Sequence, residues 1–161
     1  MLRLLLLSLF FYTAHSQLCG SLVDYGSYDS NTKTFTLTQN LPYFTYYTSS
    51  PFYDCYIEQD QTYTLTISDD VTTIGNYAFY KGQVETINFG NSVTSIGTWA
   101  FNNNQMTSVD IPDSVTSIGN AAFSNNQITN VIIGNGLTSI GTSAFSNNQI
   151  TSVDIPDSVT S

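Results

Sequence analysis

The sequence has 161 residues, of which 41% are hydrophobic and 14% aromatic, so it can bury a substantial core, while only 9% are charged. Twelve Asp and Glu residues against three Lys and Arg give a formal net charge of −9. Phosphate backbones and anionic membrane surfaces repel such a chain, so we expect neither nucleic acid nor an anionic membrane as its partner.

The first sixteen residues have the layout of a secretory signal peptide. Arg3 gives a short positive start, residues 4–12 form an apolar run, and Ala14 and Ser16 provide the small residues of a cleavage site. The run is shorter than the roughly 18 residues that span a bilayer, although an uncleaved anchor or a buried helix is the alternative. We predict that residues 1–16 are removed and that the protein is secreted, extracellular or at the cell surface, without later membrane insertion.

Residues 17–70 are predicted to form a β-rich N-terminal cap. They carry eight tyrosines and two runs of alternating polar and apolar residues, 32–38 and 62–67, which indicate strands. A stack of repeats needs its first coil covered, and aromatic side chains suit that purpose. A sharper interpretation makes Tyr43, Tyr46 and Tyr47 a binding patch.

The only two cysteines, Cys19 and Cys55, lie in this region. An exported chain meets oxidising conditions, so we predict one disulfide, which would stabilise the fold by roughly 3 to 4 kcal/mol. Two free thiols or links to another chain are the alternatives.

From Val71 onwards the chain repeats every 22 residues without insertion or deletion. Ile-Gly and Ala-Phe pairs recur at fixed places, and a constant period predicts stacked coils around one continuous apolar core. Four phenylalanines at equivalent positions should then form a single file: Phe79, Phe101, Phe123 and Phe145. The predicted repeat region is 71–161, with registers 71–92, 93–114, 115–136 and 137–158 and a partial register 159–161.

Each register combines a strand with a second, shorter half. In the third register the strand is 128–133, where Val131 and Ile133 should point inwards and Ile132 outwards. The half from 115 to 123 predicts a helical turn or a tight corner. Gly119 and its equivalents should permit a special backbone conformation or a close approach.

These motifs resemble the BspA-type leucine-rich repeat family. The matching residues are Val-Thr-Ser-Ile-Gly-x-x-Ala-Phe at 115–123 and Ile-Thr-Ser-Val-Asp-Ile-Pro-Asp-Ser at 150–158. The resemblance implies a leucine-rich-repeat solenoid and a secreted or cell-surface microbial protein, typically an adhesin or surface antigen that binds matrix or host proteins. It does not identify the ligand.

The outward strand positions are the candidate partner-binding residues: Thr86, Asn88, Ser108, Asp110, Asn130, Ile132, Ser152 and Asp154. Acids alternate with neutral residues here and in the column Asn91, Asp113, Asn135 and Asp157. Avoided repulsion between stacked carboxylates explains this alternation. A calcium or basic-ligand site is the alternative, but calcium needs about six oxygen ligands, so we predict no metal site.

The Asn-rich corners have two interpretations. Amide side chains bind carbohydrate hydroxyls well, but stacked amides also bond to each other and to turn backbone. We expect the structural use at 102–105, 125–127 and 147–149.

Catalysis is not expected, because the single histidine, His15, leaves with the signal peptide. Asp110 and Asp113 are the nearest carboxylate pair in the repeats, and they lie on a corner without an evident cleft. We therefore predict no enzyme activity and no cofactor.

The sequence stops three residues into a fifth register, at 159–161. An uncapped coil has two explanations, a truncated gene product, which we favour, or pairing with a second copy. A self-associating structural module is thus the alternative function to a binding surface.

Overall fold

The computed structural model describes residues 25–29, 31–41 and 62–161. The signal peptide at 1–16, the Cys19 and Cys55 disulfide and the tyrosine patch (Tyr43, Tyr46, Tyr47) lie outside these residues and stay predictions. In the described part of the chain, no helix is long and apolar enough to cross a membrane.

The described residues form strands joined by turns. The strands, numbered in chain order, are β1 Gly26–Asp29, β2 Thr34–Leu37, β3 Tyr63–Ile67, β4 Thr73–Ile74, β5 Val84–Asn88, β6 Ser95–Ile96, β7 Ser108–Ile111, β8 Ser117–Ile118, β9 Asn130–Ile133 and β10 Ser139–Ile140.

The first three coils each contribute one strand to each of two walls, and the fourth contributes only the short strand β10. The longer strands β3, β5, β7 and β9 form what we call the long-strand wall. The two-residue strands β4, β6, β8 and β10 form a continuous parallel sheet, the short-strand wall, in which Ile96 pairs with Ile74 and with Ile118. About four coils are stacked in this way, which confirms the predicted solenoid.

The predicted cap region contributes strands to the long-strand wall. Strand β1 pairs antiparallel with β2, and β2 pairs parallel with β3. Strand β3 pairs parallel with β5, so that Leu65 lies beside Ile87 at the 22-residue offset of the repeats. Leu37 and Leu65 are fully buried. The capping role and the boundary between residues 70 and 71 stay predictions.

Hydrogen bonding along the long-strand wall is interrupted between β5 and β7. Strand β5 belongs to the sheet of β1, β2 and β3, whereas β7 pairs only with β9 among the described strands. Proline contributes to the interruption, because Pro112 has no N–H, while the equivalent Gly134 donates its N–H to the carbonyl of Ile111 at 2.8 Å. The two coils remain joined by backbone bonds elsewhere, such as Gln105 N to Val84 O at 2.9 Å, and by the shared core.

The helical turn predicted for the second half of each coil is wrong, because the described residues contain no helix. Strand β8 is followed by turns in which Ala121 and Asn125 have left-handed backbones, with φ of 51° and 56°. Backbone amides bond to the next coil instead of four residues back, as Phe101 N does to Ala122 O at 2.8 Å. The second half of the coil is thus a corner, the other predicted form.

The core contains the predicted file of phenylalanines. Phe79, Phe101 and Phe123 are fully buried. Successive ring centroids along the file to Phe145 are 5.2, 5.3 and 5.2 Å apart, with interplanar angles of 1°, 10° and 7°. The prediction of a single file is confirmed, and the rings form a continuous stack through all four coils.

Gly119 allows a close approach between coils. A Cβ atom at this position would lie 2.5 Å from the backbone nitrogen of Thr98 and 2.6 Å from the carbonyl carbon of Gly97. No glycine in the described residues has a positive φ. The close approach is therefore the correct one of the two predicted roles.

Candidate functional site

All eight predicted partner-binding residues are exposed, and six of them lie on the long-strand wall. Strands β7 and β9 bring four of them together, because Ser108 pairs with Asn130 and Asp110 with Ile132. Thr86 and Asn88 lie on β5, which is not hydrogen-bonded to β7.

The last two predicted residues, Ser152 and Asp154, belong to a segment that forms no strand. This segment is nevertheless held against the preceding coil on both sides. Before it, Gln149 N donates to Ile128 O at 2.8 Å, and after it, Thr160 N donates to Thr138 O at 2.9 Å. The coil is therefore held in the 22-residue register at both ends of this segment, while the segment itself makes no backbone hydrogen bond to β9.

We call Asp110, Ile132 and Asp154 the exposed file, because they occupy equivalent positions on successive coils. Ile132 is 54% exposed although its neighbours Val131 and Ile133 contribute to the core. Within the described residues, neither Asp110 nor Asp154 has a hydrogen-bond or ion-pair partner. The exposed file thus presents an apolar side chain between two carboxylates that have no partner in this part of the chain.

The other alternating column has a structural use. The carboxylate of Asp113 accepts the backbone N–H of Asn135 on the next coil at 2.6 Å, and Asp69 accepts that of Asn91 at 2.7 Å. These bonds explain why an acid is followed by a neutral residue, beyond the avoided repulsion that the sequence suggests. Among the residues that the structure describes, no group of three or more His, Cys, Asp or Glu could hold a metal ion.

A second column alternates with the same two-coil period. The side-chain oxygen of Asn76 accepts the N–H of Thr98 at 2.9 Å, and that of Asn120 accepts the N–H of Thr142 at 2.8 Å. Adjacent coils are therefore not equivalent, since one supplies the acceptor side chain and the next supplies the backbone donor.

The Asn-rich corners contain a buried ladder of amides. The oxygen of Asn126 accepts the N–H of Met106 at 3.2 Å, and its nitrogen donates to the carbonyls of Phe101 and Phe123, each at 3.0 Å. Asn104 and Asn148 make equivalent bonds between coils. These contacts support the structural interpretation of the corners over the carbohydrate-binding one.

Threonine side chains form a ladder on the short-strand wall that the sequence analysis does not identify. The hydroxyl of Thr116 donates to the carbonyl of Thr94 at 3.0 Å, and Thr94 and Thr138 make the same bond to the preceding coil. Because these donors are occupied within the stack, the ladder stabilises the solenoid.

An aromatic cluster on the corners is a second surface feature that the sequence analysis misses. The ring centroid of Trp99 lies 6.1 Å from that of Tyr77 and 5.9 Å from that of Tyr80. Tyr77 and Trp99 have left-handed backbones, with φ of 57° and 60°, at positions where later coils carry Ala121 and Ser143. Comparing this column across the four registers would have indicated the cluster, because the first two registers carry an aromatic residue where the last two carry Ala or Ser.

Tyr63 is a buried polar residue on β3, away from the exposed file. Its hydroxyl oxygen has no hydrogen-bond partner in the described part of the chain. Burial, with a smaller contribution from Tyr28, raises the pKa of the Tyr63 hydroxyl above its ordinary value of 10.0. The group therefore stays neutral, and we assign it no part in binding.

The repeats match the model of one protein family over most of the chain. The BspA type leucine-rich repeat region matches residues 48–161 with six copies. The match thus begins ahead of Val71. No curated protein matches the chain significantly.

Three crystal structures of bacterial proteins match part of the chain. A leucine-rich repeat protein from Eubacterium ventriosum has 20% identity and a TM-score of 0.56, and the alignment covers 71% of this chain and 37% of that one. A leucine rich cell surface protein from Faecalibacterium prausnitzii has 20% identity, a TM-score of 0.40 and coverage of 83% and 47%. A leucine-rich repeat protein from Bacteroides ovatus has 18% identity, a TM-score of 0.31 and coverage of 84% and 58%.

The chain spans less than two thirds of the length of each of these bacterial proteins. At this level of identity the first structure supports the solenoid fold and nothing more about function. The family model matches far more than half of the residues. The chain therefore belongs to the BspA type leucine-rich repeat family.

Proposed function

We propose that this protein is a secreted or cell-surface binding protein, adhesin-like, that presents its long-strand wall to an extracellular or host protein. Membership of a family of repeat-based binding modules supports a binding role. The signal-peptide pattern at residues 1–16 supports export. We expect no enzyme activity, since His15 is the only histidine and lies within that pattern.

One observation carries the choice of the long-strand wall. Ile132 is 54% exposed, while its column also holds Asn88, Asp110 and Asp154. Stacking therefore does not require an apolar residue there. An exposed aliphatic side chain within a polar surface is suited to be the anchor of a protein interface.

The test compares Ile132→Asn with Ile132→Val for binding to a panel of immobilised matrix proteins such as collagen and laminin. Asparagine is preferable to aspartate because Asn88 already occupies this column, whereas a new carboxylate would face Asp110 one strand away. We expect Ile132→Asn to weaken binding about tenfold by removing apolar contact, and Ile132→Val to change it less than about twofold.

Thr142→Asn is the matched control, because Thr142 is exposed beyond the short-strand wall and only its backbone donates to Asn120. All three variants should unfold at the temperature of the parent protein. Binding that survives Ile132→Asn would refute the long-strand wall as the interface.

Self-association is the second candidate function. Val153 and Ile155 are 38% and 57% exposed, and exposed apolar side chains favour association. Size-exclusion chromatography with light scattering over a range of concentrations distinguishes the two functions. A monomer at every concentration would rule out the structural module, and a dimer lost in Ile155→Asp would support it.

A further inference from the structure

The sequence contains one Asn-Gly pair, Asn135-Gly136, and it lies in the turn that follows β9. The equivalent pair two coils earlier is Asn91-Ser92, also in a turn. In both turns the asparagine N–H donates to the aspartate carboxylate of the preceding coil, at 2.6 Å for Asn135 and 2.7 Å for Asn91. The two asparagines therefore have the same backbone contact and differ in the residue that follows them.

The side chain of Asn135 and the backbone nitrogen of Gly136 are both free of hydrogen bonds within the described residues. Asn135 is exposed, and its side-chain amide has no partner there. The N–H of Gly136 has none either. Leu137 N donates to Gly134 O across the turn at 3.3 Å, which is longer than the usual distance of about 2.9 to 3.0 Å. No hydrogen bond in this part of the chain therefore holds the Asn135 side chain away from the Gly136 nitrogen.

Packing between coils favours glycine at position 136. A Cβ atom there would lie 1.8 Å from the carbonyl oxygen of Asp113 on the preceding coil. Without a Cβ, glycine shields the preceding side chain less than Ser92 does, and its backbone has more conformational freedom. The residue that permits this close approach thus also leaves the Asn135 side chain open to attack by the next backbone nitrogen.

We infer that Asn135 is a site of spontaneous deamidation, the reaction that makes asparagine a thermolabile residue. The Gly136 nitrogen loses its proton to a solvent base and forms a bond to Cγ of Asn135. The bond from Cγ to Nδ2 breaks, and the side-chain nitrogen takes up a proton from solvent and leaves as ammonia. A water molecule then opens the cyclic succinimide to give aspartate or isoaspartate. Water is the co-reactant, and no oxidation or reduction takes place.

Both products disturb the contact between the second and third coils. The aspartate product carries a carboxylate on the residue whose N–H the Asp113 carboxylate accepts at 2.6 Å, so two like charges face each other across the coils. The isoaspartate product adds a carbon atom to the backbone between Asn135 and Gly136. This lengthens the turn that the bond from Leu137 N to Gly134 O closes.

Peptide mapping by mass spectrometry tests the site on the full secreted chain, aged at neutral and at mildly alkaline pH. We expect Asn135 to deamidate at least about tenfold faster than Asn91, because glycine follows it. Both rates should rise with pH, because the attacking nitrogen must lose a proton. Ser92→Gly creates the same pair at the matched position and should bring the rate at Asn91 to within about threefold of that at Asn135. Equal rates at the two asparagines in the parent protein, or an unchanged rate at Asn91 in Ser92→Gly, would overturn the inference.

Thermal unfolding tests the effect on the stack. Asn135→Asp, the aspartate product, should melt about 2 °C below the parent protein at low salt, and added salt should reduce the difference. Asn130→Asp is the matched control, because Asn130 is exposed on β9 and its register partner is the neutral Ser108. Its melting temperature should change by less than about 1 °C.

Asn135→Ser removes the reactive amide without adding a charge. After ageing, this variant should keep the melting temperature of the fresh protein, whereas that of the parent should fall. An Asn135→Asp variant as stable as Asn130→Asp, or an aged Asn135→Ser that loses stability as the parent does, would overturn the effect on the stack.

Discussion

Replacing Asn126 with alanine should destabilise the protein by about 3 kcal/mol. The substitution leaves the N–H of Met106 and the carbonyl of Phe101 without their side-chain partner, at distances of 3.2 and 3.0 Å in the intact protein. Both residues are fully buried. Each unsatisfied buried group costs about 1.5 kcal/mol, which gives the stated sum.

Asn126→Asp should be worse than alanine at neutral pH. A carboxylate of the same shape would face the carbonyl oxygens of Phe101 and Phe123, now 3.0 Å from the amide nitrogen. Burial and these oxygens would raise the pKa of the new carboxyl in the folded state. The folded form then keeps a proton that the unfolded form has lost, so stability relative to the parent falls as pH rises above about 4.

Urea unfolding followed by circular dichroism measures both effects, with Gln127→Ala as the control. Gln127 is adjacent and exposed, and its side-chain nitrogen donates to the side-chain oxygen of Gln105 at 2.7 Å, so loss of this side chain should cost about 0.5 kcal/mol. An Asn126→Ala variant as stable as Gln127→Ala would refute the role of the buried amide ladder.

Five further substitutions, grouped in three tests, have expected outcomes in the same unfolding assay. Gly119→Ala should lower the free energy of unfolding by about 2 kcal/mol, because the new Cβ would lie 2.5 Å from backbone. Ala121→Gly should raise it by about 0.5 kcal/mol, because glycine adopts a φ of 51° without strain. A stabilising Gly119→Ala with a destabilising Ala121→Gly would contradict both roles. Tyr63→Phe should stabilise the protein by about 1 kcal/mol. It should also remove the loss of stability that Tyr63 causes above about pH 10, where this tyrosine ionises in the unfolded chain and stays neutral in the folded one. A destabilised variant would mean that the hydroxyl is hydrogen-bonded. Phe123→Ala should cost about 4 kcal/mol, and Phe145→Ala, which is only partly buried, about half as much; equal losses would show that stacking position does not matter.

The period of the sequence was sufficient to predict the stack. Residues 22 apart must occupy equivalent positions if the coils are regular, so the file from Phe79 to Phe145 and the inward side of 128–133 follow directly from the apolar columns. The exposure of Ile132 follows in the same way, because it lies between two inward residues of a strand.

The corners could not be predicted from local sequence. Ala121 is a good helix former, yet it has a left-handed backbone, and its N–H donates to Thr142 O on the next coil at 3.0 Å. The aromatic cluster was missed because Trp99 is unusual only in comparison with Ala121 and Ser143, the equivalent residues of later registers.

The alternating side-chain bonds make a pair of coils the effective unit of duplication. Loss of register 115–136 alone would stack Asp157 on Asp113 and Thr142 on Thr98, which juxtaposes two carboxylates and removes the asparagine acceptor of Thr142. Loss of 44 residues preserves both patterns. Gain or loss of an even number of coils should therefore leave the stack intact, and an odd number should be selected against.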